Sequence, residues 1–371
     1  MKNFNKLIIL IALCAMMPSC KDEKQIGDEI IYLKVNGVYP EKEIYVDDIA
    51  DIKYVQMEFS EDYLFGGWGR SLIYVATTKI VIYDYATNDV LFFSMEGKPL
   101  SKFNHHGNGP GEYPTSSGIF YNDKEDRLYL KFGNKFNVYS SEGDFFNLLE
   151  IPSNEAINAL VDFDEESLLA YRQNDAYNKN IVRISKKDAS LIEEIDILDN
   201  KDIFLPNMYF SFNFIKYNDG YLLSEHSCDT VFYYGKNKVL EPVLVKTPPI
   251  ASSDPYYILF SYTEAGDYLF FKRYKVENEK TTFLDNLMMD KNDGSVYKQK
   301  ILMKDLKEKD NIDMSPLILS GNHDSKVGFV SLTIDELLNA YDEDRLSGKL
   351  KDIVETFDED SNDVFMLLYF K

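Results

Sequence analysis

One glycine-rich segment, residues 102–113, holds the side chains best suited to chemistry. Its polar members are His105, His106, Asn108, Glu112 and Tyr113. Three glycines and Pro110 separate them, and these residue types favour a tight, stiffened loop. Imidazole, amide and carboxylate groups facing a cavity would bind a saccharide or a peptide. A phosphate site is not expected, because no Lys-Ser/Thr pair and no strand-to-helix pattern follows the glycines.

Other motifs for metal binding or catalysis are weak. Residues 290–294 look like the start of a calcium loop, but the glycine comes one place early and position twelve is Ile301, so we predict a hairpin turn. Residues 358–363 also lack the glycine and the distal Glu, so a solvated acidic loop is predicted, with weak calcium binding as the alternative. His105 and His106 are adjacent and would point to opposite sides of a strand, which disfavours zinc.

No serine-hydrolase or zinc-protease motif occurs in the sequence. The 62 acidic residues leave open a carboxylate pair of the kind used in glycoside hydrolysis, since the sequence gives no separations. We therefore predict no catalytic residue, no metal site and no cofactor.

The composition excludes several classes of partner. The 371 residues include 62 acidic and 40 basic side chains, which gives a net charge of −22. Nucleic acid is not expected, because binding it requires a basic stripe, and an anionic membrane surface would repel the chain. Hydrophobic residues make up 45%, including 27 Tyr and 25 Phe, which is enough to bury a core.

The N-terminus has the pattern of an export signal. Lys2 and Lys6 precede an apolar run at 7–17, which is too short to span a bilayer. Cys20 follows Pro-Ser and resembles the lipidated cysteine of a lipoprotein, although Met17 stands where Leu is most common. An ordinary secretory signal with an incidental cysteine is the alternative. We predict a signal peptide at 1–19, a lipidated tether at 20–28 and one domain at 29–371, attached to a membrane by lipid.

The charged stretch at 21–24, Lys-Asp-Glu-Lys, resembles the signal that sends Bacteroidota lipoproteins to the outer face of the outer membrane. A solvated linker would have the same composition. Of the three cysteines, Cys14 leaves with the signal and Cys20 is acylated, so Cys228 has no partner for an intrachain disulfide. Stability must then come from packing.

Groups of strands recur along the chain. Their leading strands start near residues 72, 128, 168, 221 and 268, at intervals of 40 to 56 residues. Several strands per repeat at this period predict propeller blades. A sixth blade would combine strands at 327–330 and 364–369 with N-terminal strands at 44–46 and 52–57. The predicted fold is all-β, a six-bladed β-propeller of four-stranded antiparallel blades.

Residues 334–357 have apolar side chains at helical spacing, with Asp and Glu on the other side. We predict a helical insertion that packs on the rim of the last blade. A partner-binding helix is the alternative.

The run Gly-Asn-Gly-Pro-Gly-Glu-Tyr at 107–113 resembles the G-x-G-P-G-E-[FY] loop of six-bladed propeller lipoproteins of Bacteroidota, relatives of the NHL-repeat propellers. The resemblance extends over most of the chain after the signal and implies the fold and the compartment more than an activity. On one interpretation the loop is a crossover between blades, with Glu112 and Tyr113 bonded to the neighbouring blade. On the other, His105, His106, Asn108 and Glu112 face the central channel.

Two hypotheses for function follow. The first is a surface-exposed outer-membrane lipoprotein that acts as a binding or scaffold module, with a glycan or peptide ligand and an envelope protein as a candidate partner. The second is a hydrolase or lyase at the channel, as some NHL-like propellers are. A cluster of His105, His106 and Glu112 with an acid of another blade around one cavity would favour the enzyme.

Overall fold

The chain folds into an all-β, six-bladed propeller. The structure is a computed structural model, and it describes residues 30–58, 60–66, 71–151, 156–173, 181–197, 214–225, 227–307, 327–358 and 361–371. Alternation of Val, Ile, Leu, Phe and Tyr with polar residues, interrupted by turns, produces the strands.

The N-terminal residues form a strap of three separate strands. They are β1 (Ile31–Lys34), β2 (Glu41–Tyr45) and β3 (Ala50–Gln56), with a short helix α1 (Val46–Ile49) before β3. Each strand joins a different sheet.

The blades follow in chain order. Blade 1 contains β4 (Ser71–Val75), β5 (Lys79–Asp84), β6 (Val90–Ser94) and β7 (Pro99–Phe103). Blade 2 contains β8 (Gly118–Asn122), β9 (Arg127–Phe132), β10 (Lys135–Tyr139) and β11 (Phe145–Glu150). Blade 3 contains β12 (Ala156–Asp162), β13 (Ser167–Gln173), β14 (Ile181–Ser185) and β15 (Leu191–Ile195).

Blade 4 contains β16 (Phe214–Tyr217), β17 (Gly220–Leu223), β18 (Thr230–Tyr234) and β19 (Leu240–Thr247). Blade 5 contains β20 (Tyr256–Ala265), β21 (Tyr268–Glu277), β22 (Lys280–Asp290) and β23 (Val296–Leu302). The described part of blade 6 contains β24 (Val327–Leu332) and β25 (Val364–Phe370), with β3 of the strap on its outer side. Within blades 1 to 5, consecutive strands pair antiparallel.

Hydrophobic clusters between the blades close the ring. One cluster runs through blades 1, 2 and 3, and others join blade 3 to 4, blade 4 to 5, blade 5 to 6 and blade 6 to 1. The first strand of each blade is innermost, next to the axis, and the last is outermost. Both faces of each blade are therefore covered by its neighbours, as a propeller requires.

The ring closes through strands from both ends of the chain, as predicted. The C-terminal strand β25 pairs antiparallel with β24 and with β3, where Val55 lies opposite Phe365. The placement of residues 44–46 in this same blade is wrong, because β2 instead pairs parallel with β23 in blade 5. β1 likewise pairs parallel with β19 in blade 4. The strap thus covers the outer edges of three consecutive blades.

The predicted helical insertion is present as two short helices, α2 (Ile334–Asp342) and α3 (Gly348–Val354). Thr333 and Glu336 form a capping box at the start of α2. Leu337 and Leu350 are buried in the cluster that joins blades 5 and 6, so the helices cover this rim. In the part of the chain that the structure describes, no helix is long and apolar enough to cross a membrane.

Candidate functional site

The glycine-rich loop connects the outermost strand of blade 1, β7, to the innermost strand of blade 2, β8. Backbone bonds close it on itself: the Gly107 N–H donates to the Tyr113 carbonyl at 2.9 Å, and the Tyr113 N–H donates to the His105 carbonyl at 3.0 Å. The Glu112 N–H donates to the Gly109 carbonyl at 3.1 Å. The loop is thus a compact turn with its own hydrogen bonds.

Tyr113 fixes the loop to blade 1. Its side chain is fully buried, and its hydroxyl donates to the Asn88 carbonyl at 2.9 Å in the β5–β6 turn. The same hydroxyl accepts the His105 N–H at 3.2 Å. Burial raises the pKa of Tyr113, so the hydroxyl keeps the proton that it donates.

His105 is held between the two blades. Its Nε2 lies 2.9 Å from the Gly143 carbonyl in the β10–β11 turn of blade 2. Because a carbonyl only accepts, Nε2 carries the proton. The ring stacks on Tyr139, with 5.5 Å between centroids and 16° between planes. His105 is therefore a packing residue between blades 1 and 2.

Blade 2 supplies the other side of the loop. The Asn137 Nδ2 donates to the Glu112 carbonyl at 2.8 Å, and the Tyr139 hydroxyl donates to the Gly111 carbonyl at 2.9 Å. Burial raises the pKa of Tyr139 to about 12, which preserves this donor at neutral pH. These contacts lie on β10, and Gly111 lies against the Phe145 ring at the start of β11.

The loop therefore packs on the outer half of blade 2. The expectation that His105, His106, Asn108 and Glu112 face the central channel is wrong, because the loop does not run along the innermost strands β4 and β8. The crossover interpretation agrees with the structure, in which Tyr113 binds blade 1 and the Glu112 carbonyl binds blade 2.

Three of the five predicted ligand residues are nevertheless accessible to solvent. His106, Asn108 and Glu112 are exposed. The Glu112 Oε2 accepts the Gly109 N–H at 2.8 Å. A Cβ atom on Gly107 would lie only 2.1 Å from this oxygen, so the carboxylate occupies the space beside the glycine. Phe145 lies against Gly111 of the same loop and is 42% exposed. We call His106, Asn108, Glu112 and Phe145 the loop patch.

The described side chains of the innermost strands do not form a comparable cluster of charged groups. Their acidic and basic members are Asp162, Lys216 and Glu264. Asp162 pairs with Lys186, and Glu264 pairs with Lys291. The Lys216 Nζ lies 4.5 Å from the centre of the Tyr221 ring. The structure does not bring His105, His106 and Glu112 around one cavity with an acid of another blade, which was the arrangement expected of an enzyme.

The first acidic segment forms the turn that the sequence predicts. The Gly294 N–H donates to the Asp290 carbonyl at 2.8 Å, which closes the hairpin turn predicted between β22 and β23. Residues 359–360 of the second segment lie outside the described residues, as do Cys20 and the rest of 1–29. Among the described side chains, no three or more His, Cys, Asp or Glu converge in a way that could hold a metal ion.

Two buried cations were not predicted. Arg273 in β21 pairs with Asp285 and also donates to the carbonyls of Val35 and Gly37. Lys246 in β19 is 4% exposed, and its Nζ lies 3.4 Å from the Glu225 carbonyl. In the sequence, the only sign that these two side chains are buried is their position in the alternation of inward and outward residues along a strand. That alternation does not distinguish them from the exposed basic residues of the chain.

The chain belongs to the family described as a domain of unknown function, DUF4934, whose sequence profile matches residues 31–369. No curated protein sequence gives a significant match.

Several solved structures are similar to the chain. The "putative exported protein" of Bacteroides fragilis has 15% identity to this chain and a TM-score of 0.59. The aligned region covers 92% of this chain and 100% of that protein. A DUF4221 family member from Bacteroides vulgatus has 10% identity and a TM-score of 0.46, covering 87% of this chain and 98% of its own. Virginiamycin B lyase from Staphylococcus aureus has 13% identity and a TM-score of 0.39, covering 63% of this chain and 74% of its own. The similarity to the Bacteroides fragilis structure, at 15% identity, supports the fold and not an activity.

Proposed function

We propose that this protein is a lipoprotein of the outer membrane, exposed at the cell surface, whose propeller is a rigid binding module for a neutral glycan. The loop patch is its ligand surface. The observation that carries the proposal is the division of the loop into an inner half that is fixed to two blades and an outer half that presents unburied polar groups.

The rigid frame favours binding because little conformational entropy is lost when a ligand binds to a preformed surface. Tyr113 and His105 fix the loop from inside, so His106, Asn108 and Glu112 project from a backbone whose position is already determined.

The chemistry of the loop patch suits a sugar. The exposed Phe145 ring offers an apolar face for the C–H face of a sugar ring, and imidazole, amide and carboxylate groups can donate to and accept from hydroxyls. The net charge of −22 does not oppose a neutral ligand, whereas it repels an anionic one.

The test is a screen of neutral glycans and, in parallel, peptides against residues 21–371. A glycan should bind, and Phe145→Ser or the pair His106→Ala and Asn108→Ala should weaken binding about tenfold or more, the size of an ordinary hot-spot loss. Phe283→Ser is the matched control, because Phe283 is 50% exposed on blade 5, away from the loop. Equal binding by all variants, or binding of peptides alone, overturns the proposal.

The anchoring part of the proposal depends on the N-terminal sequence. The apolar run at 7–17, the Cys20 position and the charged tether at 21–24 are its support, together with the exported relative as an analogy. Cys20→Ala should move the protein from the membrane fraction to the soluble fraction, and wild type on intact cells should be cleaved by added protease. Unchanged fractionation would refute lipidation, and protection from protease would refute surface exposure.

A further inference from the structure

The outer edges of the six blades differ in whether a strap strand pairs with them. Blades 4, 5 and 6 have the strap strands β1, β2 and β3 on their outer sides. In the described part of the chain, the outermost strands of blades 1, 2 and 3, which are β7, β11 and β15, pair with no further strand. An uncovered edge presents free N–H and C=O groups to which another strand can bind.

Two of these three edges carry residues that discourage pairing. β7 begins with Pro99 and exposes Lys102. β15 includes Glu193 and Glu194, which pair with Arg183 and Arg172. Proline and charge are the usual protection of an edge strand.

β11 contains no proline and little charge, although its pairing with β10 shifts register between Phe145 and Asn147. It exposes Phe145, Phe146 and Leu148 at 42%, 46% and 43%, and Glu150 at its end is its only charged residue. An edge of six residues with this composition is suited to adding a strand.

The hydrogen-bond register shows which backbone groups of β11 are free. The Ile151 N–H donates to the Asn134 carbonyl at 3.1 Å, so residues 134 and 151 form a hydrogen-bonded pair with β10. Along an antiparallel pair of strands, hydrogen-bonded residue pairs alternate with pairs that are not hydrogen-bonded. The N–H and C=O of Leu148 and Glu150 therefore point outward, away from β10.

Charged side chains lie near both ends of β11. At its start, the Arg127 guanidinium lies 3.5 Å from the centre of the Phe146 ring. At its end is Glu150, whose side chain is 55% exposed and 3.4 Å from Lys135. An antiparallel copy of the same strand would bring Arg127 of each molecule toward Glu150 of the other. This complementarity offsets the repulsion between two chains of net charge −22.

We propose that β11 is the dimer interface of this protein, pairing antiparallel with β11 of a second copy. Leu148 lies on the two-fold axis and exchanges two backbone hydrogen bonds with its counterpart, which places Phe146 opposite Glu150 of the other copy. The axis is perpendicular to the joined sheet, and antiparallel pairing puts the two loop patches, each at the start of its β11, at opposite ends of the paired strands. The dimer proposal does not rest on the proposed ligand, although Phe145 belongs both to β11 and to the loop patch.

Sedimentation of residues 21–371 over a range of micromolar concentrations tests the interface. Wild type should dimerise, and Leu148→Lys should be a monomer. Leu148→Pro should also be a monomer, and because the Leu148 N–H does not bond to β10, it should keep the wild-type circular dichroism spectrum. Leu191→Lys is the matched control, since Leu191 is 52% exposed on the protected edge β15, and it should dimerise like wild type.

Charge reversal tests the register. Arg127→Glu or Glu150→Arg alone should weaken dimerisation about tenfold or more, and the double variant should recover most of the loss. A wild type that stays monomeric at all concentrations, or a Leu148→Lys variant that dimerises as tightly as wild type, overturns the proposal. Glycan binding by a monomer would leave the proposed function standing without the dimer.

Discussion

Arg273 should be the side chain that holds the strap to blade 5. Its guanidinium makes a two-pronged pair with Asp285 on β22, with Nε–Oδ1 at 2.8 Å and Nη2–Oδ2 at 2.7 Å. Its Nη1 donates to the carbonyls of Val35 and Gly37 at 3.1 and 2.6 Å. The side chains of Arg273 and Asp285 are only 6% and 14% exposed. One residue therefore satisfies a buried carboxylate and two carbonyls between β1 and β2.

Arg273→Met removes all four bonds and leaves the carboxylate. Breaking one partner of a buried pair costs about 3–5 kcal/mol, and each unsatisfied carbonyl adds about 1 kcal/mol. Lys298, whose Nζ lies 3.7 Å from Asp285, compensates in part. We expect the free energy of unfolding to fall by about 3 kcal/mol or more.

Urea denaturation measures this loss, and hydrogen exchange locates it. Amide protons of residues 31–45 should exchange faster in Arg273→Met than in wild type. The double variant Arg273→Met, Asp285→Leu should recover much of the stability, because no buried charge is left without a partner. Lys53→Met is the control, since its ion pair with Glu96 is exposed and should contribute little to stability. A single variant within about 1 kcal/mol of wild type, or a double variant no better than the single, would refute the reasoning.

Three further stability predictions can be checked by the same denaturation assay. Tyr113→Phe should cost about 1–3 kcal/mol, because the partly buried carbonyl of Asn88 loses its donor, and no loss would show that the loop is not fixed by this bond. Lys246→Met should stabilise the protein at pH 7, whereas the exposed control Lys349→Met should have little effect. Burial lowers the pKa of Lys246, so the unfolded chain binds this proton more readily than the folded chain does. The free energy of unfolding of the wild type should therefore rise with pH between the pKa values of the folded and unfolded states. Lys246→Met should abolish that rise. Gly97→Ala should destabilise, since Gly97 has φ of +82° and a Cβ would lie 2.5 Å from a carbonyl oxygen of β3; wild-type stability would contradict this.

Much of the fold follows from the repeat, but the sequence pattern misplaced the start of most blades. The second strands of blades 1 to 5 begin at 79, 127, 167, 220 and 268, and four of these match the predicted leading strands. The actual first strands β8, β12, β16 and β20 were missed. The turns from these strands to the second strands are clear in sequence. The segments that precede them differ widely in length, from residues 151–155 before β12 to residues 196–213 before β16, and have no fixed turn signal. The count of blades was confirmed because every blade contributes one such clear strand pair.

The strap could not be predicted in full because strand pairing depends on partners distant in sequence. Residues 52–57 were correctly assigned to the last blade, since their apolar alternation needs a sheet and the C-terminal strand needs a partner. Residues 44–46 have a similar pattern, yet β2 pairs with β23. Nothing in a short apolar segment distinguishes two available edges.

The candidate site was predicted by residue type and misplaced by geometry. Imidazole and phenol groups bind ligands when they are exposed and serve as interior hydrogen-bond partners when they are buried, and the sequence does not distinguish the two. His105 and Tyr113 took the second role, whereas His106, Asn108 and Glu112 remain exposed. Phe145 could have been added to the site only from the crossover's position on β10 and β11.

The strap and the proposed dimer both cover the outer edge of a blade by pairing a further strand with it, on different blades. Strands β1 and β2 cover edges by parallel pairing within the chain, and the β11 edge is left for a second copy. Blade 2 is two positions from blade 4, where the strap begins, so pairing at β11 does not compete with the strap. An N-terminal lipid anchor and a β11 dimer are therefore compatible in one assembly, and a Cys20→Ala variant should dimerise in solution as wild type does without its lipid.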